Sequence, residues 1–251
     1  MSEQSWRVRG KIAAGEYEHE SHVNLLAFDT STEYLSLALL RGDDVFTFNT
    51  MAGQSHSQLI LPQLQKLLHE AELQLEELQG IAFGAGPGSF TGVRIAAGVA
   101  QGLGFGAHLS VVGVCTLMAL AEGSGADQVI TCLDARMGEV YHAAYIKEAG
   151  TWRAERAPGL YKPDAVPRLD GFGWVGAGNG WQAYSEALGQ VYADQLQAVR
   201  AELVPTANSI LTLALPVFSK GEATPASEAL PVYIRNRVAL KTEERAQGLA
   251  L

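Results

Sequence analysis

The chain has 251 residues, enough for one large domain or two small ones with cores of their own. Hydrophobic residues make up 47% and charged residues 18%, the balance of an ordinary soluble globular protein, and no apolar run approaches the ~18 residues that span a bilayer. With 27 acidic against 18 basic residues the net charge is −9, and Lys and Arg form no cluster, which argues against a chain that grips RNA or DNA by itself. The two cysteines, Cys115 and Cys132, lie in apolar runs outside any CxxC pair. That argues against zinc or thioredoxin-like chemistry and suits a reducing cytoplasm. No signal-peptide pattern opens the chain.

Residues 1–22 are polar, mixed in charge and without a period, and read as a disordered extension. His19 and His22 with Glu18 and Glu20 would bind a metal only weakly; a solvated tail is the simpler reading. An alternative start at Val23 is a further option. From there the pattern sharpens. Residues 24–29 (NLLAFD) form a short apolar strand ending in an acid, 34–40 a second strand, 41–44 a hairpin turn and 45–50 a third strand. A helix is predicted over 57–71, with Ile60, Leu61, Leu64, Leu67, Leu68 and Ala71 on one face and Leu59 on the polar face with Gln63, Lys66 and Glu70. A strand over 79–83, a glycine-rich loop, a helix from 90 to 107, a strand over 109–114 and a short helix over 116–122 follow.

The second half restarts the theme. A strand over 128–133 ends in Asp134; Arg136-Met137-Gly138 turns into a strand over 139–147. Residues 171–176 form a strand, 179–188 a helix, and 206–219 a last helix interrupted near Pro216. Two halves that each begin strand, acid, hairpin imply a two-lobed α/β protein with mixed sheets. The lobes are placed at 23–125 and 126–240, with 206–219 packing back on the first lobe and 241–251 as a flexible tail.

The stretch FGAGPGSFTGVRIAAGVAQGLGFG, residues 83–106, poses the main functional question. A strand, a glycine-rich loop and a helix N-terminus suit an anion site. Yet no Lys-Ser/Thr closes the loop as in a Walker A motif, and Pro87 removes a backbone donor. Ser89 as helix cap and glycines as a tight turn are the simpler account. In the helix, Ile95, Val99 and Leu103 make a bulky stripe. Ala96, Ala100, Gly104 and Ala107 flank it on one side, and Gly98, Gly102 and Gly106 on the other. Each interior glycine costs about 1 kcal/mol relative to alanine, and close approach of another backbone would offset that. The approaching backbone is either the chain's own sheet and neighbouring helix or a helix of another subunit. The bulky stripe suits the sheet, which leaves a small-residue shoulder for a partner. A bulky Ala100→Trp would then block the partner and spare the fold.

DTST after an apolar strand, SHSQLILP, AGPGSFTGVR, DARMGEVY and the closing PVYIR stand in order over residues 23–240. Together they resemble the bacterial TsaB family, also called YeaZ. The resemblance implies two ribonuclease-H-like lobes of the actin/Hsp70/sugar-kinase superfamily. It also implies a part in making threonylcarbamoyl-adenosine beside the tRNA anticodon. In that machinery the relative TsaD performs the transfer, TsaE is an ATPase and TsaC makes the activated carbamoyl adenylate.

Several residues bear on whether such a chain is catalyst or helper. TsaD-like catalysts carry a His-x-x-x-His metal pair after the fifth strand; here that region reads Val114-Cys115-Thr116-Leu117-Met118-Ala119, without histidine. The superfamily's first phosphate hairpin usually has Gly where this chain has Ser31, in Asp29-Thr30-Ser31-Thr32. Asp29 would orient a magnesium-bound water or accept N–H bonds in its turn. His56 matches a histidine common to TsaB and TsaD, and would touch the cleft or partner or bond at the helix start. Asp134 and Arg136 would reach a nucleotide across the cleft or pair with each other, and 176–180 (GAGNG) is a weak adenosine site. No nucleophile–base–orienter set is visible. The expectation is therefore a non-catalytic scaffold with a vestigial nucleotide cleft at Asp29, Thr30, Ser31, Thr32, Asp134 and Arg136. It needs no metal or cofactor of its own, and any weak ATP, ADP or Mg²⁺ binding falls at the junction with TsaD. Its interface with TsaD is placed at His56, Leu59, Gln63, Gly92, Arg94, Ala96, Ala100 and Gly104. TsaE joins that complex, tRNA is met only through it, and a homodimer forms when TsaD is absent. The rival from another class is an active ATPase or small-molecule kinase on the same fold.

Overall fold

The computed structural model describes residues 9–11 and 23–235. Its first sheet holds β1 (Arg9–Lys11), β2 (Asn24–Asp29), β3 (Tyr34–Arg41), β4 (Asp44–Met51), β5 (Gly80–Gly86) and β6 (Ser110–Cys115), in the order β1-β4-β3-β2-β5-β6. The second holds β7 (Gln128–Asp134), β8 (Val140–Glu148), β9 (Thr151–Tyr161), β10 (Trp174–Ala177) and β11 (Leu196–Arg200), in the order β11-β10-β7-β8-β9. With β1 set aside the two sheets match strand for strand. Each begins in the middle, runs two antiparallel strands to one side and adds two parallel strands on the other. This is the doubled ribonuclease-H-like α/β architecture that the strand–acid–hairpin repeat implies.

The reasons for these elements are local. Gly42, at φ 57°, turns β3 into β4, and the central strands β2 and β7 are mostly apolar and buried because both of their faces are covered. On one face of the first sheet lie α1 (His56–Glu70) and α2 (Phe90–Ala107), over a core that includes Leu26, Phe28, Leu37, Ile81 and Phe83. The other face is covered by α6 (Ala207–Ser219), whose Ile210, Leu211 and Ala214 bury against Leu25, Ala27 and Ala82. Between the sheets sits α3 (Thr116–Ser124), with Leu117, Leu120 and Ala121 fully buried against β7 and β8 residues. The second sheet's outer core packs α4 (Gly180–Ala183) and α5 (Ser185–Tyr192) around Trp174, Trp181 and Tyr192. There, buried His142 has Nε2 2.8 Å from the Tyr192 hydroxyl, which itself donates to the Pro167 carbonyl. The imidazole is therefore the donor through Nε2, and burial pulls its pKa down to about 4. Among the described residues no helix is long and apolar enough to cross a membrane.

Several sequence expectations change. Within the stretch read as a disordered extension, Arg9–Lys11 pair with Phe46, Val45 and Asp44 as an edge strand; the rest of 1–22, with His19 and His22, lies outside the described residues, as does the tail at 241–251. Both edge strands of the second sheet escape the hydrophobic pattern. β9 is charge-rich and carries Pro158, and β11 is almost wholly exposed. The predicted helix over 179–188 is broken at Tyr184 into α4 and α5. α6, by contrast, runs straight through Pro216, because its buried face holds it against the sheet despite the missing N–H.

The largest correction concerns α2. Its sheet-facing side is the small one: Val93, Ala96, Ala97, Ala100 and Gly104 are buried, while Ile95, Val99 and Leu103 are only half-buried beside Leu59 of α1. The helix lies low on the sheet, and bulky residues would not fit beneath it. A Cβ on Gly104 would stand 2.7 Å from the Ala226 side chain, whereas one on Gly98, Gly102 or Gly106 would meet open space. Gly98→Ala should therefore raise the unfolding free energy of the monomer by about 0.5–1 kcal/mol, as helix propensity alone dictates. Gly104→Ala should lower it. Urea denaturation of both variants checks this; equal signs would mean the helix is misplaced on the sheet.

Candidate functional site

Both central strands end in the same device. At the end of β2, Asp29 Oδ1 accepts the Ser31 backbone N–H at 2.9 Å and the Ser31 hydroxyl at 2.8 Å. At the end of β7, Asp134 Oδ1 accepts the Arg136 N–H at 2.9 Å. Each carboxylate thus organises the first residues of its own hairpin, which is the turn-bonding alternative for Asp29. Asp134 also ion-pairs with Arg136 at 3.4 Å and accepts the Tyr184 hydroxyl at 3.1 Å, so the intra-turn pairing holds for this couple as well. Arg136 reaches further, to Glu33 of the opposite lobe at 3.6 Å, an exposed pair that contributes little stability.

The two hairpins face each other across a cleft of about 570 Å³. Ser31, Thr32, Asp134 and Arg136 line it, whereas Asp29 and Thr30 lie buried beneath the floor. The glycine-rich loop closes one side and packs on the 29–32 turn. The Ser89 N–H at the start of α2 donates to the Ser31 carbonyl at 2.7 Å, and the Ser89 hydroxyl caps the helix by accepting from Gly92 N–H. A Cβ on Gly88 would stand 2.6 Å from the Ser31 carbonyl oxygen, and one on Gly92 would collide with that of Thr30. Thr30 Oγ1 in turn donates to the Gly92 carbonyl at 2.7 Å. The chain's own carbonyl thus takes the Ser89 N–H, one of the donors that a phosphate at this turn would use. In the second lobe the glycines of 176–180 serve the same end. Side chains at Gly178 and Gly180 would strike Cys132, and one at Gly176 the Trp181 ring.

Asp29 is the electrostatic outlier. It is fully buried, its Oδ2 has no hydrogen-bond partner, and a Cβ on Gly84 would occupy that oxygen's place. Burial pushes its pKa up to about 6, only partly opposed by the two Ser31 hydrogen bonds.

The residues expected at a partner interface separate into two sets. Gly92, Ala96, Ala100 and Gly104 are buried inside the lobe. His56 is buried too, its Nε2 donating to the Tyr34 carbonyl of β3 at 3.2 Å, a tie to the sheet rather than a bond at the helix start. Ala100→Trp would therefore disrupt the core rather than spare the fold. Leu59 and Gln63 are half-buried and Arg94 is exposed, so these three stay at the surface. The outward face of the helix pair carries Leu59, Ile95, Gly98, Val99, Gly102 and Phe105, the last 61% exposed.

Sequence reasoning missed the role of the closing PVYIR. Val232, Tyr233, Ile234 and Arg235 line the cleft, with Asn179, which accepts the Asp134 N–H at 2.9 Å. The order of the motif was legible; its return to the first lobe was not.

The raised pKa of Asp29 gives a stability signature. Protonation of the folded carboxyl stabilises the protein fully below about pH 3.8, and that contribution is lost as pH rises through about 6. His142 acts oppositely, lowering stability as pH falls from about 6.5 towards 4. The test is thus the difference between wild type and Asp29→Asn. The variant should be the more stable at pH 7.5 by about 1–3 kcal/mol, with the gap closing towards pH 4. A gap independent of pH in chemical denaturation would mean Asp29 is ionised at no cost.

Comparison with known proteins agrees with this architecture. The family model for TsaD, tRNA N6-adenosine threonylcarbamoyltransferase, matches residues 49–239. The chain is 41% identical over 228 residues to tRNA threonylcarbamoyladenosine biosynthesis protein TsaB of Escherichia coli K12, covering 87% of this chain and 97% of that protein. It is 35% identical over 233 residues to the Haemophilus influenzae TsaB, covering 88% and 97%. Among solved structures, a Pseudomonas aeruginosa protein described as similar to the peptidase YeaZ superposes with TM-score 0.79 at 40% identity, over 85% of this chain and all of that one. The extent of these matches and the paired hairpins lead to one conclusion: the chain belongs to the TsaB (YeaZ) family of tRNA threonylcarbamoyladenosine biosynthesis proteins.

Proposed function

We propose that this chain is the non-catalytic, activating subunit that binds TsaD, together with TsaE, for threonylcarbamoyl transfer to the adenosine beside the tRNA anticodon. The observation that carries the reading is the open glycine face of α2. Gly98, Gly102 and Gly106 have nothing within 4 Å of where a side chain would begin, yet together they cost the helix about 3 kcal/mol. A second backbone lying in that groove offsets the cost. A helix pair of the related TsaD fold would dock there with pseudo-twofold symmetry, and a second copy of this chain would use the same face when TsaD is absent.

Two further features support a helper. Where TsaD-like catalysts carry their histidine pair, Leu117, Ala119 and Leu120 are fully buried apolar residues. The acceptor place at the start of α2 is filled by the Ser31 carbonyl, so any nucleotide or Mg²⁺ belongs at the junction with TsaD rather than in this turn. tRNA, in this reading, meets the acidic chain only through the complex.

Gly102→Leu should lower affinity for the matching TsaD at least tenfold in calorimetry and leave the thermal unfolding midpoint the same or higher. The homodimer should weaken in parallel, as sedimentation would record. TsaD affinity equal to wild type would remove α2 from the interface.

A further inference from the structure

The segment Pro231–Arg235 leaves the first lobe and ends in the second, passing along the cleft. Its start is tied to the end of β5, where Val232 N–H donates to the Ala85 carbonyl at 2.7 Å. Gly86, at φ 109°, lets the chains meet: a Cβ there would stand 2.9 Å from the Val232 carbonyl oxygen. Next, the Tyr233 hydroxyl accepts Arg94 Nε–H at 2.6 Å, and its ring lies 5.8 Å from Phe90. The Arg94 guanidinium itself stacks 3.6 Å from the Phe90 ring centre.

The far end is a socket. Arg235 reaches the second-lobe hairpin, donating to Glu139 Oε2 at 2.6 Å, to the Ala135 carbonyl at 3.1 Å and to the Arg136 carbonyl at 3.4 Å. Its side chain is only 11% exposed. The hairpin it fills is strained. Arg136, Met137 and Gly138 follow one another at φ 63°, 58° and 72°, and the first two are residues for which this left-handed region is costly. That backbone turns two carbonyls towards one point, and the guanidinium stands there with a carboxylate beside it.

We propose that residues 231–235 form a latch that holds the two lobes together over the cleft and keeps the 135–138 turn in its left-handed form. With Arg235 seated, Val232, Tyr233 and Ile234 wall the cleft and Arg94 is engaged at the start of α2. With Arg235 released, the turn loses its filling cation, the cleft opens at that wall, and Arg94 is freed from Tyr233. Cleft state and α2 surface are thereby linked through one short segment. The latch stands whether or not TsaD is the partner.

Hydrogen–deuterium exchange on the full chain tests it. Arg235→Gln should raise early uptake severalfold in 135–139 and in 86–92, distant in sequence from the change, while β2 and β7 stay protected. Glu139→Gln keeps the hairpin's shape and should raise uptake at 230–235, sending the effect the other way; it also serves if the first variant folds poorly. Arg235→Lys, a single-point donor, should fall between wild type and Arg235→Gln. Exchange changes confined to each variant's own segment would overturn the latch.

Discussion

The contact on which the rest of the structure depends is the seating of the 29–32 turn directly on the first turn of α2. It is made by the Ser89 N–H to the Ser31 carbonyl, by the Thr30 hydroxyl to the Gly92 carbonyl, and by glycines at 88 and 92 where side chains would collide. That contact brings α2 low over β5 and β2, so only small residues fit beneath it. Once alanine and glycine occupy the buried side, the bulky stripe is turned sideways towards α1, and the remaining glycines face outward. The same seating encloses Asp29 and leaves one of its oxygens without a partner. The outward glycines and the Ser31 carbonyl on the Ser89 N–H are two results of one packing arrangement.

Three departures from local rules lie at the cleft and on one face of α2. The exposed glycines of α2 weaken a helix, the buried carboxyl of Asp29 works against the folded state near neutral pH, and the turn at 136–138 holds two non-glycine residues in the left-handed region. The first costs about 3 kcal/mol and the others about 1–3 kcal/mol each, sizeable against the 5–15 kcal/mol stability of a typical domain. Other departures lie elsewhere, among them Pro216 inside α6, the buried His142 and the positive φ of Glu72, His108 and Ala149, while the central strands and the Ser89 cap agree with the fold.

Much of the architecture was legible because central strands announce themselves. NLLAFD and QVITCLD are apolar runs closed by an acid, and their repetition disclosed the two lobes before any motif was considered. The edge strands β9 and β11 were hidden by the polarity that protects a sheet edge from further pairing. Residue periodicity found α2 but chose the wrong face, since it assumes that large residues point inward; the height of a helix above its sheet is a tertiary quantity. Gly92, Ala96, Ala100 and Gly104 lie buried rather than on the partner surface for that reason, whereas His56, placed by its match to a family histidine, is buried against Tyr34. Asp29, Asp134 and Arg136 were rightly singled out as a pair of matching turns, yet their roles waited on distances. The path of PVYIR from one lobe to the other could not be read at all, because nothing in five residues says which surface they will cross.

The central claim is that this chain enables a reaction it does not perform. The most direct measurement is threonylcarbamoyl transfer to tRNA by the matching TsaD, TsaE and TsaC, with and without the chain. The account predicts full modification only when the chain is present with TsaD, and none when the chain replaces TsaD. Modification without TsaD, or undiminished modification without the chain, would contradict it and return the cleft above Asp29 to consideration as an active site.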